Sequence, residues 1–161
     1  VLAAAKWSKA DIIVDMTSDC PLIDPKHIDH LIETLLNENL DYVSNCIYRD
    51  WPDGADIQVY WTKSLKECHK RFYTPNHIGW NITQYPLIFN IHHWKAPNDM
   101  HWPELGLTLD TLEDYELLKI IFNSFGYKID FSIESAIRYL RKKPHLVKIN
   151  QMVKRKKLEE G

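Results

Sequence analysis

Residues 10–25 read A-D-I-I-V-D-M-T-S-D-C-P-L-I-D-P. The β-branched run from Asp11 to Met16 has the length and composition of a buried parallel strand. A polar loop follows, and then Asp24 can cap and Pro25 can begin a helix. In that helix Ile28, Leu31, Ile32, Leu35 and Leu36 recur at i, i+3, i+4, i+7 and i+8, a single apolar stripe that must lie on a sheet. Strand, loop and amphipathic helix in this order are the repeating unit of an α/β fold, and they leave Asp19 at the carboxyl end of a strand.

The rest of the chain extends that pattern. Tyr42 to Tyr48 and Asp56 to Trp61 read as strands joined by W-P-D-G turn chemistry, and Lys63 to Phe72 reads as a helix. Val1 to Lys9 has the look of the last turns of a helix. From Tyr73 to Pro103 the period is lost, although Leu87 to His92 could form a strand. Leu107 to Leu109 is a short strand leading into T-L-E-D, where Thr111 and Asp114 make a capping box for a helix reaching Phe125 and stopped by Gly126. A last helix over residues 132–141 ends before Pro144. The expected architecture is a mostly parallel sheet with helices on both faces, and ligands in such sheets sit outside the carboxyl ends of the strands.

Bulk composition narrows the function. At 161 residues and 45% hydrophobic content, the chain is long enough for one globular core without covalent staples. With 20 basic and 22 acidic residues there is no global field to attract nucleic acid or an anionic membrane. Cys20, Cys46 and Cys68 are odd in number and lack C-x-x-C spacing, which speaks for a reducing, cytoplasmic setting. No apolar stretch approaches the ~20 residues of a membrane span.

Two loops at strand ends carry carboxylates, one holding Asp19 and the other Asp110. Carboxylates delivered from separate strands into one crevice suit magnesium, which takes oxygen ligands and keeps waters and substrate phosphates for the remainder. Read as local structure, the same residues shape a turn and cap a helix. Other features have plainer readings. His92 and His93 are adjacent on a strand and point to opposite faces, so they and His101 do not form a zinc site. Lys154 to Lys157 reads as a solvated helix end. Cys20 lies beside a carboxylate that would raise its pKa, which argues against a nucleophile.

Four blocks in order, A-D-I-I-V-D-M-T-S-D-C-P-L-I-D-P (10–25), D-Y-V-S-N (41–45), P-D-G-A-D-I-Q-V (52–59) and L-T-L-D-T-L-E-D-Y-E-L-L (107–118), resemble the cytidylyltransferase family of the spore-coat polysaccharide type. That family is related to the synthetases of CMP-sialic acid and CMP-Kdo. The resemblance implies a nucleotide-diphospho-sugar transferase fold, Rossmann-like, in which a sugar oxygen attacks the α-phosphorus of CTP or another nucleoside triphosphate and pyrophosphate leaves. By the same resemblance Asp19 and Asp110 hold the catalytic Mg2+, and Asp53, Gly54 and Asp56 lie near the sugar. Pro75-Asn76-His77-Ile78-Gly79-Trp80 stands where the family reads E-H-V-T-P, which makes His77 the candidate substrate contact there. Residues 73–105, rich in Trp and His, are the expected homodimer contact.

The family also carries an amino-terminal A-R-x-x-S-x-R-L-P-x-K type loop that cradles the triphosphate, and nothing in this sequence replaces it. The expectation is therefore that residues 1–161 form the carboxyl-terminal portion of a single nucleotidyltransferase domain, inactive when alone. Two other readings share the fold: a glycosyltransferase that consumes a sugar nucleotide, and a non-catalytic partner domain.

Overall fold

The computed structural model describes residues 1–72 and 79–155. Its sheet has four strands, β1 (Ile12–Asp15), β2 (Tyr42–Ser44), β3 (Gln58–Trp61) and β4 (Ile91–His93), in the order β1-β3-β2-β4. β2 and β4 are parallel, and β3 pairs antiparallel with both β1 and β2. Three of the four strands thus point the same way, but the reversed β3 makes two of the three ladders antiparallel. The cause is local. The β2–β3 connection carries no helix and turns back at Pro52–Ala55, and a parallel return needs a crossover, usually helical.

Side chains alternate across the sheet and sort the helices onto its two faces. Val43 and Val59 point to one face, where α2 (Pro25–Asn37) buries Leu31 and Leu35 against them and Ile57. Truncating either leucine to Ala should cost about 2–5 kcal/mol, because both sites are closed to solvent. Tyr42 and Tyr60 point to the other face, stacked with ring centroids 5.8 Å apart. There α3 (Thr62–Arg71) covers them with Leu65 and Cys68, helped by α1 (Leu2–Ser8) and the short α4 (Trp80–Thr83). β1 pairs with β3 alone, and its other side faces a groove of about 380 Å³ lined by α1 and β1.

A third cluster holds the carboxyl-terminal part. α5 (Leu112–Ser124) and α6 (Ile133–Lys142), followed by α7 (Pro144–Val147), bury Leu117, Ile121, Ile137 and Leu140 against Trp51, Met100, Leu105 and Leu107. α2, α5 and α6 each start where the sequence offers a cap, whereas α3 starts after Trp61 without one. Lys26 N donates to Asp24 Oδ1 at 2.9 Å, Thr111 and Asp114 form the capping box, and Ser135 N donates to the Ser132 hydroxyl. Gly126, at φ 66°, closes α5.

Three expected strands come out differently. Residues 107–109 form no strand, only a bridge between Asp53 and Gly106 next to them, because this segment is held by loops and not by a sheet edge. β2 stops at Ser44, where the Asn45 side chain takes over the pairing. The fourth strand begins only at Ile91, because residues 85–89 turn through hydrogen bonds from Ile88 N and Phe89 N to Tyr85 O.

Candidate active site

Asp19 follows β1, and Asp110 precedes α5. The peptide N–H of Leu109 donates to the Asp19 carbonyl at 2.8 Å, and the Thr108 hydroxyl donates to the same oxygen at 3.3 Å. Two loops 90 residues apart in sequence are thereby tied backbone to backbone at the carboxyl end of β1.

The P-D-G-A-D loop joins them. Asp53 N donates to Leu105 O at 2.9 Å, and Leu107 N donates to Asp53 O at 2.7 Å. Gly54 is required here, since it sits at φ 97° and any Cβ would meet the Leu107 and Thr108 backbone at about 2.5 Å. Asn45, buried at the end of the D-Y-V-S-N block, fixes the loop's other side: its Nδ2 donates to Ala55 O at 2.7 Å and its Oδ1 accepts from Ile57 N at 2.8 Å.

Asp19, Asp53, Asp56 and Asp110 therefore share one rim, together with the buried Asp114. Two arginines serve four of the five, all but Asp19. Arg49 donates bidentately to Asp56 at 2.6 and 2.9 Å and approaches Asp53 at 3.4 Å. Burial works against the Arg49 charge, but the carboxylates of Asp56 and Asp53 hold it protonated more firmly than a free arginine. Asp53 is pushed above the usual carboxylate range by burial, with Arg49 opposing. Both oxygens of Asp56 are thus spent on Arg49, which leaves Asp53 and the Gly54 backbone as the more available parts of the loop.

Arg155 reaches the rim from the chain's carboxyl end. Its two terminal nitrogens donate to Asp114 at 2.9 and 2.5 Å, and Nη1 lies 4.0 Å from Asp110 Oδ2. Asn150 adds a 2.7 Å bond to Asp114 Oδ1. Gly106 makes room for the guanidinium, which a Cβ there would overlap. Burial alone would raise the Asp114 carboxyl, but hydrogen bonds from Arg155 and Asn150 bring it down to about 2. Asp114 in turn accepts from the peptide N–H groups of Asp110 and Thr111, fixing the loop that carries Asp110.

Asp19 and Asp110 offer only carboxylate oxygens, hard donors that fit magnesium. Among the described residues the Asp19 carboxylate meets only the Cys20 thiol, at 3.7 Å, and Asp110 is exposed. Both keep oxygens free for a cation. The Cys20 thiol is pushed up to about 12, first by burial and then by Asp56, Asp19 and Asp53, so it stays protonated and is no nucleophile.

Sequence reasoning missed Arg49, Asn150 and Arg155. The basic run containing Arg155 reads as a solvated helix end, but its described residues, Lys154 and Arg155, are not helical, and Arg155 folds onto Asp114. It also missed a group formed by Asp24, His27 and Glu134. His77 lies outside the described residues. His92 and His93 do diverge: the His92 side chain is 43% exposed and 3.9 Å from Glu38, while the His93 side chain is 7% exposed and 3.1 Å from Asp50. Trp94 packs on Trp51 and His27, and Trp102 lies under Arg141, and both remain half-buried.

Comparison with known proteins bears on the fold and on the family resemblance. Residues 1–72 match the family model described as cytidylyltransferase. An uncharacterized protein of Methanocaldococcus jannaschii, MJ1063, is 30% identical over 98% of this chain and 64% of its own length. The spore coat polysaccharide biosynthesis protein SpsF of Bacillus subtilis is 25% identical over 84% of this chain and 57% of its own. The chain spans less than two thirds of both relatives. A solved cytidylyltransferase from Leptospira borgpetersenii superposes with a TM-score of 0.83 at 31% identity, over 96% of this chain and 65% of that one. Family sequence in the first 72 residues and a shared α/β fold along almost the whole chain both liken this chain to the cytidylyltransferases.

Proposed function

We propose that this chain supplies the cation-holding and acceptor-facing rim of a magnesium-dependent cytidylyltransferase, which activates a sugar acid or amino sugar for surface polysaccharide synthesis. The reaction is attack of a sugar oxygen on the α-phosphorus of CTP, with pyrophosphate leaving. The observation that carries the reading is the Leu109 to Asp19 backbone tie, which brings the Asp19 and Asp110 loops together.

Charge supports the need for a cation. Five aspartates against two arginines leave the rim negative, and a triphosphate entering it unescorted would be repelled. Magnesium held by Asp19 and Asp110 would supply the neutralisation that phosphoryl transfer depends on. Asp53 and the Gly54 backbone are placed to orient sugar hydroxyls, with Arg49 keeping Asp53 and Asp56 in position.

The test is pyrophosphate release from CTP and a panel of sugar acids and amino sugars, using the protein as its cell makes it, with and without magnesium. Magnesium-dependent pyrophosphate is the expected result. Release of a nucleoside diphosphate from a sugar nucleotide instead would make the protein a glycosyltransferase.

A homodimer through residues 73–105 and a cytoplasmic setting belong to the same proposal. Leu87 and Ile88 are the exposed apolar residues that support the first, and three unpaired cysteines support the second. Among the described residues no helix is long and apolar enough to cross a membrane. Sedimentation of the same protein showing only monomer at micromolar concentration would remove the dimer.

A further inference from the structure

Away from the aspartate rim, the first turns of α2 and α6 meet. Asp24 caps α2, His27 lies one turn further along it, and Glu134 sits in the first turn of α6. One ligand atom from each lies within 4.8 Å of the others, the sole such group among the described residues. Asp24 and His27 are 6% and 5% exposed, and Glu134 is half-buried.

The imidazole is held in one orientation. Its ring packs between Trp51 and Trp94, with centroids 4.9 and 4.8 Å away, and Nε2 lies 2.7 Å from Glu134 Oε1. Asp24 uses one oxygen, Oδ1, to cap α2, and Oδ2 has no hydrogen-bond partner among the described residues. A simple interhelical pair between His27 and Glu134 accounts for two of the three groups. The α2 cap accounts for Oδ1 of Asp24 and leaves the same carboxylate able to bring a second anionic donor to the group.

We propose that Asp24, His27 and Glu134 bind a first-row divalent cation of the zinc class, stapling α2 to α6. One imidazole nitrogen and two carboxylate oxygens form a donor set that zinc accepts in tetrahedral geometry, with a water as the fourth ligand. Magnesium is a poor match because imidazole is not its ligand. Binding replaces the His27–Glu134 hydrogen bond, and the two atoms move apart to about 3.3 Å, the spacing of ligands on a tetrahedral zinc. A groove of about 230 Å³, lined by Asp24, Lys26, Asp130 and Phe131, opens beside Asp24 and gives the ion and its water a path. The staple links the helix that covers the sheet to the helices of the third cluster, so its effect is on stability and not on the rim.

The test uses the whole chain, stripped with a chelator. Zinc is titrated against a chromophoric competitor, and thermal unfolding is followed with zinc and, separately, with millimolar magnesium. One zinc per chain is expected, with the midpoint raised by roughly 5–10 °C at hundredfold excess over Kd and no such rise with magnesium. Glu134→Gln and His27→Gln should each lose about 10-fold or more in affinity. Asp24→Asn is the decisive variant, because Asn caps a helix as well as Asp and so leaves a purely structural role intact, whereas the metal site loses an anionic ligand. An Asp19→Asn, Asp110→Asn double variant should keep the zinc. No zinc-dependent rise in the parent chain overturns the proposal, as does unchanged affinity in Asp24→Asn and Glu134→Gln.

Discussion

Arg155 holds the buried carboxylate of Asp114 with both terminal nitrogens, 41 positions further along the chain, and does so over a glycine, Gly106, that leaves it the space. Through Asp114 it braces the peptide N–H groups of Asp110 and Thr111, and its own charge stands 4.0 Å from Asp110. The carboxyl-terminal segment is thereby part of the rim's framework.

Arg155→Met keeps the aliphatic stem and removes the charge. It should destabilise the chain by about 2–3 kcal/mol at neutral pH, measured by urea unfolding, because a buried carboxylate loses its charged donors.

Acid unfolding gives an independent reading of the same pair. The folded Asp114 carboxyl, at about 2, lies below its ordinary value of 3.8, so its contribution of about 2 kcal/mol is complete above pH ~4 and is lost as pH falls through about 2. Without Arg155 the folded value rises, and the acid transition should move to higher pH. An unchanged transition would separate Asp114 from acid stability.

Replacing Asp19 or Asp110 by Ala should lower nucleotidyl transfer by at least ~100-fold in the protein as its cell makes it, with the circular dichroism spectrum unchanged. Near-normal turnover with either substitution would exclude the proposed cation role.

Gly54→Ala should cost more than about 2 kcal/mol, since the φ of 97° and the contact with the Leu107 and Thr108 backbone both oppose a side chain. Gly126→Ala, also at positive φ but with open space around it, should cost less. Equal losses would mean that the close approach at Gly54 carries no weight.

Thiol labelling checks the reading of the cysteines. Cys20 and Cys46 are pushed up to about 12, chiefly by burial, and Cys68 is buried as well. A disulfide reagent at pH 8 should react slowly with the native chain and with three thiols after denaturation. Rapid labelling of Cys20 would contradict its burial.

What could be read from the sequence was whatever local chemistry decides. The Ile28–Leu36 stripe, the Asp24 and Thr111 caps and the Gly126 stop depend on near neighbours, and each element formed within a few residues of its expected bounds. The loops of Asp19 and Asp110 were found by block order and proved to be joined. The clamps by Arg49, Asn150 and Arg155 depend on hydrogen-bond partners 7 to 44 positions away, and the reversal of β3 and the loss of a strand at 107–109 involve partners some of which lie farther still, for which a single sequence carries no periodic signal. Lys154 and Arg155 look alike in a basic run, and only the fold separates a solvated cation from a half-buried, paired one.

Among the described residues β1 is bonded on one side only. Apart from Asp15 at its end the strand carries neither proline nor charge, so a ribbon of peptide donors and acceptors lines the groove on its other side. Such a ribbon is a template for a further strand. Produced by itself at high concentration, this chain should stick to its own kind along that line, with light scattering that climbs as the protein is concentrated, and a well-behaved preparation will be one in which something lies across β1.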